Sequence, residues 1–185
     1  MINLLESSVV VRRWPDLSVI KEAGLVSYRT ESKKTPREFY DMLVKNGHVS
    51  VLEHTVISFK VVCSRACSHQ LVRHRIGCSY TQESQRYCNY ENKGFDFIIT
   101  PGVHRTMLEK AVSCYKRIDA KPEDKRMMLP NCSATRIFVT MNITALLHFF
   151  KMRCSPHAQW EIRGIALDLQ RQFNNFLDEK RWNSN

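Results

Sequence analysis

Leu52-Glu53-His54-Thr55-Val56-Ile57-Ser58-Phe59-Lys60-Val61-Val62-Cys63 is rich in β-branched and aromatic residues with partial alternation, and it reads as a strand. The segments around it carry helical signals instead. Upstream, Thr35-Pro36-Arg37-Glu38 opens a helix: Thr35 caps, Pro36 suits the first helical position and Glu38 completes a capping box. Phe39, Tyr40, Met42 and Leu43 supply the buried face, and Gly47 stops the helix. Downstream, a short helix runs to about Val72. Thr100-Pro101 opens another, with Val103, Met107, Ala111, Cys114 and Ile118 at helical spacing. Lys121 to Pro130 is a charged connection. Ala134 to Lys151 is apolar on much of its circumference, which predicts a central helix buried on several sides. Ser155-Pro156 caps a last helix, where Ile162, Ile165, Ala166, Leu169, Phe173, Phe176 and Leu177 repeat at three and four. The class is α+β: a helix-rich single domain over residues 1–185 with a small, mostly antiparallel sheet.

Composition narrows the function. The 185 residues, 43% hydrophobic and 25% charged, suit one compact domain with an ordinary core. No apolar run approaches the roughly 20 residues that cross a bilayer. Arg12 and Arg13 follow the first apolar stretch, the wrong order for a signal peptide, so the expected location is cytoplasmic, with no membrane partner. Seven cysteines, odd in number and spread from Cys63 to Cys154, suit reduced thiols better than a disulfide framework. Lys and Arg outnumber Asp and Glu by 28 to 18, a formal charge of +10 that calls for anionic partners. The informative basic residues are clustered among hydrogen-bonding side chains, which favours phosphorylated small molecules over nucleic acid. The six glycines form neither a G-x-G-x-x-G nor a Walker pattern, so a nucleotide here is held without a Rossmann or P-loop device.

Gln70-Leu71-Val72-Arg73-His74-Arg75 leads into Ile76-Gly77-Cys78-Ser79-Tyr80-Thr81-Gln82-Glu83-Ser84-Gln85-Arg86-Tyr87, dense in donors and nearly empty of aliphatic core residues. So many polar groups are costly to bury unless each finds a partner, so the stretch either lies in solvent or lines a polar ligand site. As a plain helix end, Arg73 and Arg75 would only complement the dipole. As a site, arginines with Ser, Gln and His supply forked bonds to phosphate and satisfy a uracil-like or isoalloxazine ring. Other tempting groups have plainer readings. Cys63-x3-Cys67-x-His69 lacks the spacing of zinc knuckles or ribbons, and no metal is expected. Cys78 and Cys88 lack the context of a cysteine nucleophile. His157, Gln159, Trp160 and Glu161 stand at the first turn of a strong helix, where such residues cap, anchor or pair.

The 70–87 stretch resembles the signature of the flavin-dependent thymidylate synthases (ThyX): Arg-His-Arg, a spacer, then Ser-x-Arg-Tyr. Between Arg75 and Ser84 this chain carries one residue more than the usual pattern, near Gly77-Cys78. Arg126-Met127-Met128-Leu129-Pro130, Asn142, Leu147 to Arg153 and Ser155 to Ile162 resemble the family's C-terminal half in the same order. Ala23-Gly24-Leu25-Val26-Ser27-Tyr28 and Leu52-Glu53-His54-Thr55 resemble two earlier segments. The resemblance implies a ThyX-like fold and a homotetramer with shared active sites. It puts His54, Arg73, His74, Arg75, Asn142 and His148 at FAD, with His54 also meeting the folate. Gln70, Gln82, Ser84, Gln85, Arg86, Arg126 and Arg153 fall around dUMP, Arg86 and Ser84 at its phosphate, and Arg126 and Arg153 are the candidate catalytic groups. Thr144 stands where the family often has a further arginine for flavin phosphate.

The implied reaction is reductive methylation of dUMP at C5 to dTMP. Methylenetetrahydrofolate is the carbon donor, NADPH the reductant and FAD the hydride source, with no protein cysteine as nucleophile. Two rivals compete: a flavin- and folate-dependent enzyme that leaves a hydroxymethyl group or uses another pyrimidine nucleotide, and a basic nucleic-acid-binding protein, for which no binding signature is present.

Overall fold

The computed structural model describes residues 1–27, 29, 31–179 and 182; Tyr28 of the Ala23–Tyr28 segment lies outside them. The strands are β1 (Ile2–Leu5), β2 (Ser8–Arg13), β3 (Val56–Ser64), β4 (Cys78–Gln82), β5 (Phe95–Ile98) and β6 (Ala134–Asn142). The helices are α1 (Leu17–Val26), α2 (Pro36–Lys45), α3 (Arg65–Leu71), α4 (Tyr90–Lys93), α5 (Arg105–Arg117), α6 (Pro122–Lys125), α7 (Ile143–Arg153) and α8 (Trp160–Leu177). Short 3-10 turns cover Val49–His54 and Arg126–Met128. An antiparallel sheet runs β2-β3-β6-β4, and β1 pairs with β5 in a separate parallel ribbon. Among the described residues no helix is long and apolar enough to cross a membrane.

The antiparallel sheet works because its strands alternate. Ile57, Phe59, Val61 and Cys63 of β3 and Ile137, Val139 and Met141 of β6 are buried on one face, while Lys60 and Phe138 are exposed on the other. On the buried face, α2, α7 and α8 complete the core, with Tyr40 edge-on to Phe173 at 6.4 Å and Trp14 stacked on Phe176 at 4.7 Å. Thr35 and Glu38 form the expected capping box of α2, which buries Phe39, Tyr40 and Leu43. All seven periodic positions of α8 are buried.

Four expectations are corrected. The strand predicted from Leu52 begins only at Val56, since Val49–His54 closes a 3-10 turn. The predicted helix from Ala134 is a strand to Asn142 and a helix only from Ile143. Thr135, Ile137, Val139 and Thr140 are β-branched and the apolar set repeats every second residue, so strand pairing with β3 outweighs the helical reading. The helix after Thr100-Pro101 starts only at Arg105, because residues 100–103 close a turn through Val103 N to Thr100 O at 3.1 Å. Its buried face is consequently Leu108, Val112 and Tyr115, packed on Phe95 and Phe97, while Met107 and Cys114 are exposed. The cap of α8 is Gln159, whose side-chain oxygen accepts from Glu161 N and Ile162 N, rather than Ser155-Pro156.

Glu161 explains how α8 is fixed to the sheet. Its buried carboxylate accepts from Ser64 N at 2.7 Å, from Ser64 Oγ at 2.5 Å and from Ser7 Oγ at 2.8 Å. Ser64 in turn caps α3 by accepting from Cys67 N at 3.0 Å. A buried carboxylate with three donors is satisfied, which makes Glu161 an anchor at the junction that launches α3 toward the polar stretch.

Candidate active site

The Arg73-His74-Arg75 turn leaves the end of α3 and is held by β4. The Tyr80 hydroxyl lies 2.5 Å from the His74 carbonyl oxygen and 3.1 Å from that of Leu71, and shares its proton between them. Burial, with Cys78 as a lesser cause, pushes the Tyr80 phenol up, so it stays a donor at neutral pH. The turn then reverses at Gly77 (φ 69°), whose carbonyl accepts from Asn142 N at 2.9 Å. A Cβ on Gly77 would fall 2.5 to 2.7 Å from the Asn142 side chain, so this crossing requires glycine both for its backbone angle and for its closeness. Asn142 Oδ1 caps α7 by accepting from Ala145 N at 2.8 Å.

From that cap, α7 carries His148 and Arg153 across from the turn. A cavity of about 340 Å³ lies between them, lined by Arg73, His74, Arg75, His148 and Arg153, with Ile76, Cys78, Ala145 and Met152 as its apolar parts. No carboxylate is in the lining. His74 Nε2 accepts from Arg153 Nε at 3.0 Å, so its proton resides on Nδ1. Arg153 Nη2 also reaches the Gln70 carbonyl at 3.4 Å. Burial first, then the Arg153 and His148 charges, push the His74 imidazole down to about 4, and it is neutral at pH 7. Among the described residues the Arg73 and Arg75 side chains have no hydrogen-bond or ion-pair partner.

The second corner follows β4. Gln82 Nε2 donates to Ser68 Oγ at 2.9 Å and Thr135 Oγ1 at 3.1 Å, tying the strand to α3 and β6. Glu83 N donates to the Arg136 carbonyl at 2.8 Å, and Arg136 pairs with Glu83 at 3.1 Å and Asp96 at 2.7 Å. This network fixes the loop that follows. Ser84 Oγ accepts from Arg86 N at 3.2 Å, Gln85 is buried, and Arg86 Nε meets Glu123 Oε2 at 3.0 Å. Arg126 Nε donates to the Glu123 backbone carbonyl at 3.0 Å.

The family model described as thymidylate synthase complementing protein matches residues 9–177, a span that contains every candidate residue. The chain belongs to the flavin-dependent thymidylate synthase family. It is 42% identical over 146 residues to the flavin-dependent thymidylate synthase of Geobacter sulfurreducens, covering 72% of this chain and 62% of that protein. It is 39% identical over 174 residues to the Pyrococcus furiosus enzyme of that name, covering 81% and 71%. The Pyrococcus abyssi protein is 40% identical over the same coverage. The chain thus spans about three fifths to seven tenths of the length of these relatives.

Set against the family signature, the structure brings Arg73, His74, Arg75, His148 and Arg153 onto one cavity, with Asn142 against Gly77 and the Gln70 carbonyl beside Arg153 but neither in its lining, and it joins Arg86 to Arg126 through Glu123, with Ser84 beside Arg86; Gln82 and Gln85 line neither place. His54 ends the 3-10 turn, exposed, and does not line the cavity. Thr144 Oγ1 donates to the Val49 carbonyl at 2.6 Å, fastening that turn to α7 in place of offering a cation. The cavity suits an anionic aromatic cofactor in part: three arginines without an opposing acid fit phosphate, and its volume is near the low end of the roughly 300–1,000 Å³ typical of ligand pockets. Sequence reasoning missed Tyr80 and Glu123. Tyr80 shares a face with Cys78 and Gln82 in a strand too polar to advertise itself, and nothing local marks Glu123.

Proposed function

We propose that this chain is a flavin-dependent thymidylate synthase, methylating dUMP at C5 to dTMP with methylenetetrahydrofolate as carbon donor and NADPH-reduced FAD as hydride source. The observation that carries the reading is the acid-free cavity of three arginines and two histidines, built from two separate blocks of the family match. When bound, FAD supplies the two-electron reduction that brings the carbon to the methyl level. The protein's own residues bind, orient and polarise.

Arg73 and Arg75 hold the flavin phosphates. Neutral His74 keeps Arg153 oriented and offers its Nδ1 proton as a donor, and His148 and Asn142 complete the flavin contacts from α7. The Asn142 Nδ2 group remains open to an acceptor because Oδ1 is engaged in the cap. His54 meets the flavin and folate. On the nucleotide, Arg86 and Ser84 take the phosphate, Gln70, Gln82 and Gln85 address the base and sugar, and Arg153 binds further along. Arg126 polarises a uracil carbonyl so that C5 becomes nucleophilic; its terminal guanidinium nitrogens have no partner among the described residues.

The chain acts as one ThyX-like catalytic domain in a cytoplasmic homotetramer with shared sites, without membrane or nucleic-acid partners. Shared sites are supported by exposed apolar side chains beside the functional ones. Ile76 (92% exposed) follows Arg75, Tyr87 (81%) follows Arg86, Met127 (82%) follows Arg126, and Met152 precedes Arg153. Apolar groups so placed are covered when another copy completes each site.

The test is anaerobic incubation of purified protein with FAD, NADPH, methylenetetrahydrofolate and dUMP, followed by mass spectrometry of the nucleotide. The expected product is dTMP. A hydroxymethylated nucleotide, or none, would overturn the reading.

A further inference from the structure

Two of the three arginines assigned to the nucleotide, Arg86 and Arg126, share one acidic neighbour. Glu123 Oε2 lies 3.0 Å from Arg86 Nε, and the Glu123 carbonyl accepts from Arg126 Nε at 3.0 Å. The backbone that presents Glu123 is anchored two residues on. There the Lys125 ammonium pairs with Glu91 at 2.5 Å and sits 4.8 Å from the Tyr115 ring centroid. Arg86 is freer: its side chain is 52% exposed, and among the described residues its guanidinium meets only Glu123 and, in a cation–π contact at 5.4 Å, Tyr87. A carboxylate already paired with a half-exposed arginine is what a ligand phosphate must compete with.

We propose that Glu123 is a resident competitor for the nucleotide phosphate: in the free protein its carboxylate occupies Arg86, and a phosphate-bearing nucleotide displaces it. The inference rests on the assignment of Arg86 to the dUMP phosphate above. A half-exposed arginine–carboxylate pair is weak, because water and salt screen it. A phosphate presents more charge and three terminal oxygens to the same guanidinium fork, so the exchange runs toward the nucleotide. A nucleoside without phosphate cannot drive it and leaves Arg86 closed on Glu123. Throughout the exchange the Glu123 backbone carbonyl stays available to Arg126, so the group that polarises the base is not released with the side chain. Glu123 is thus a positioning residue that acts through Arg86: it tempers the affinity of the site for phosphate-bearing ligands and leaves that for nucleosides alone.

The test compares flavin-loaded wild type with Glu123→Gln and Glu123→Ala, titrated calorimetrically with dUMP, deoxyuridine and inorganic phosphate and assayed for turnover. Removing the competing charge tightens dUMP and phosphate roughly two- to fivefold, the scale of an exposed ion pair. It leaves deoxyuridine unchanged and lowers KM for dUMP by the same factor with kcat retained. Both variants must move in the same direction, which excludes a new bond made by the glutamine amide. Unchanged or weakened dUMP binding in the variants overturns the competitor role, because a residue that merely supports Arg86 raises KM when lost. Failure of the wild type itself to bind dUMP overturns the assignment of Arg86 and the inference with it, and is told apart because the wild-type titration alone reports it.

Discussion

The cavity beneath α7 and the corner at Ser84–Arg86 both collect arginines, yet their electrostatic states are opposite. In the cavity, Arg73 and Arg75 have no carboxylate to meet, and the one histidine that bonds Arg153 is held neutral by burial and by its cationic neighbours. At the corner, Arg86 is already closed on Glu123 and Arg126 leans on the same residue's backbone. The first region pays in self-repulsion for standing ready to receive an anion. The second lowers that repulsion with a local acid and needs its ligand to open it. A long-resident cofactor suits the first arrangement and a substrate that exchanges every turnover suits the second.

The sharpest way to break this contrast is Arg126→Ala. It is expected to lower kcat/KM for dUMP by roughly 10²–10³, the scale of losing one donor to a developing oxyanion, with thermal stability nearly unchanged. Normal turnover would remove the corner from the chemistry. Next in size, Arg75→Ala is expected to weaken FAD roughly 10- to 100-fold in a fluorescence titration while leaving KM for dUMP in flavin-saturated enzyme unchanged. Arg86→Ala should do the reverse, and identical effects from the two would erase the distinction between regions. Tyr80→Phe removes the hydroxyl that pins the His74 and Leu71 carbonyls; about 1 kcal/mol of stability is expected to go in urea unfolding, with weaker flavin binding and no effect on Arg86.

The smallest effect is a pH dependence. His74 is pushed down to about 4 from an ordinary 6.5, so between those values the unfolded chain binds its proton more readily than the folded one. Its contribution to stability is complete above pH 6.5 and falls as the pH drops toward 4. Urea midpoints across that window should decline, and His74→Phe should flatten the decline. An unaltered slope in the variant would show that the cavity does not hold His74 neutral.

Much of this was legible in the sequence, and the exceptions have physical causes. The capping box at Thr35–Glu38, the Val56–Cys63 part of the strand expected from Leu52 and the seven buried positions of α8 followed from local patterns that tertiary packing reinforces. Ala134–Asn142 misled because its apolar residues, read together with those of α7, covered a helix circumference, and only pairing with β3 separates the two periods. Residues 78–82 hid a strand because Ser79 and Thr81 face solvent at the sheet edge beside β6, where polar side chains are tolerated. The β1–β5 ribbon joins segments nearly half the chain apart, a pairing no local signal carries. At the site, the arginines and histidines were legible as a motif, whereas the engagement of Arg86 by Glu123 depends on where α6 comes to rest.

The crossing of Gly77 and Asn142 ties the history of two distant segments together. Gly77 stands where the chain leaves no room for a side chain, directly against the residue that caps α7. A side chain at 77 would require a smaller one at 142 at the same step, with loss of the cap that starts α7. The residues at 77 and 142 should therefore change as one character, kept or lost as a pair.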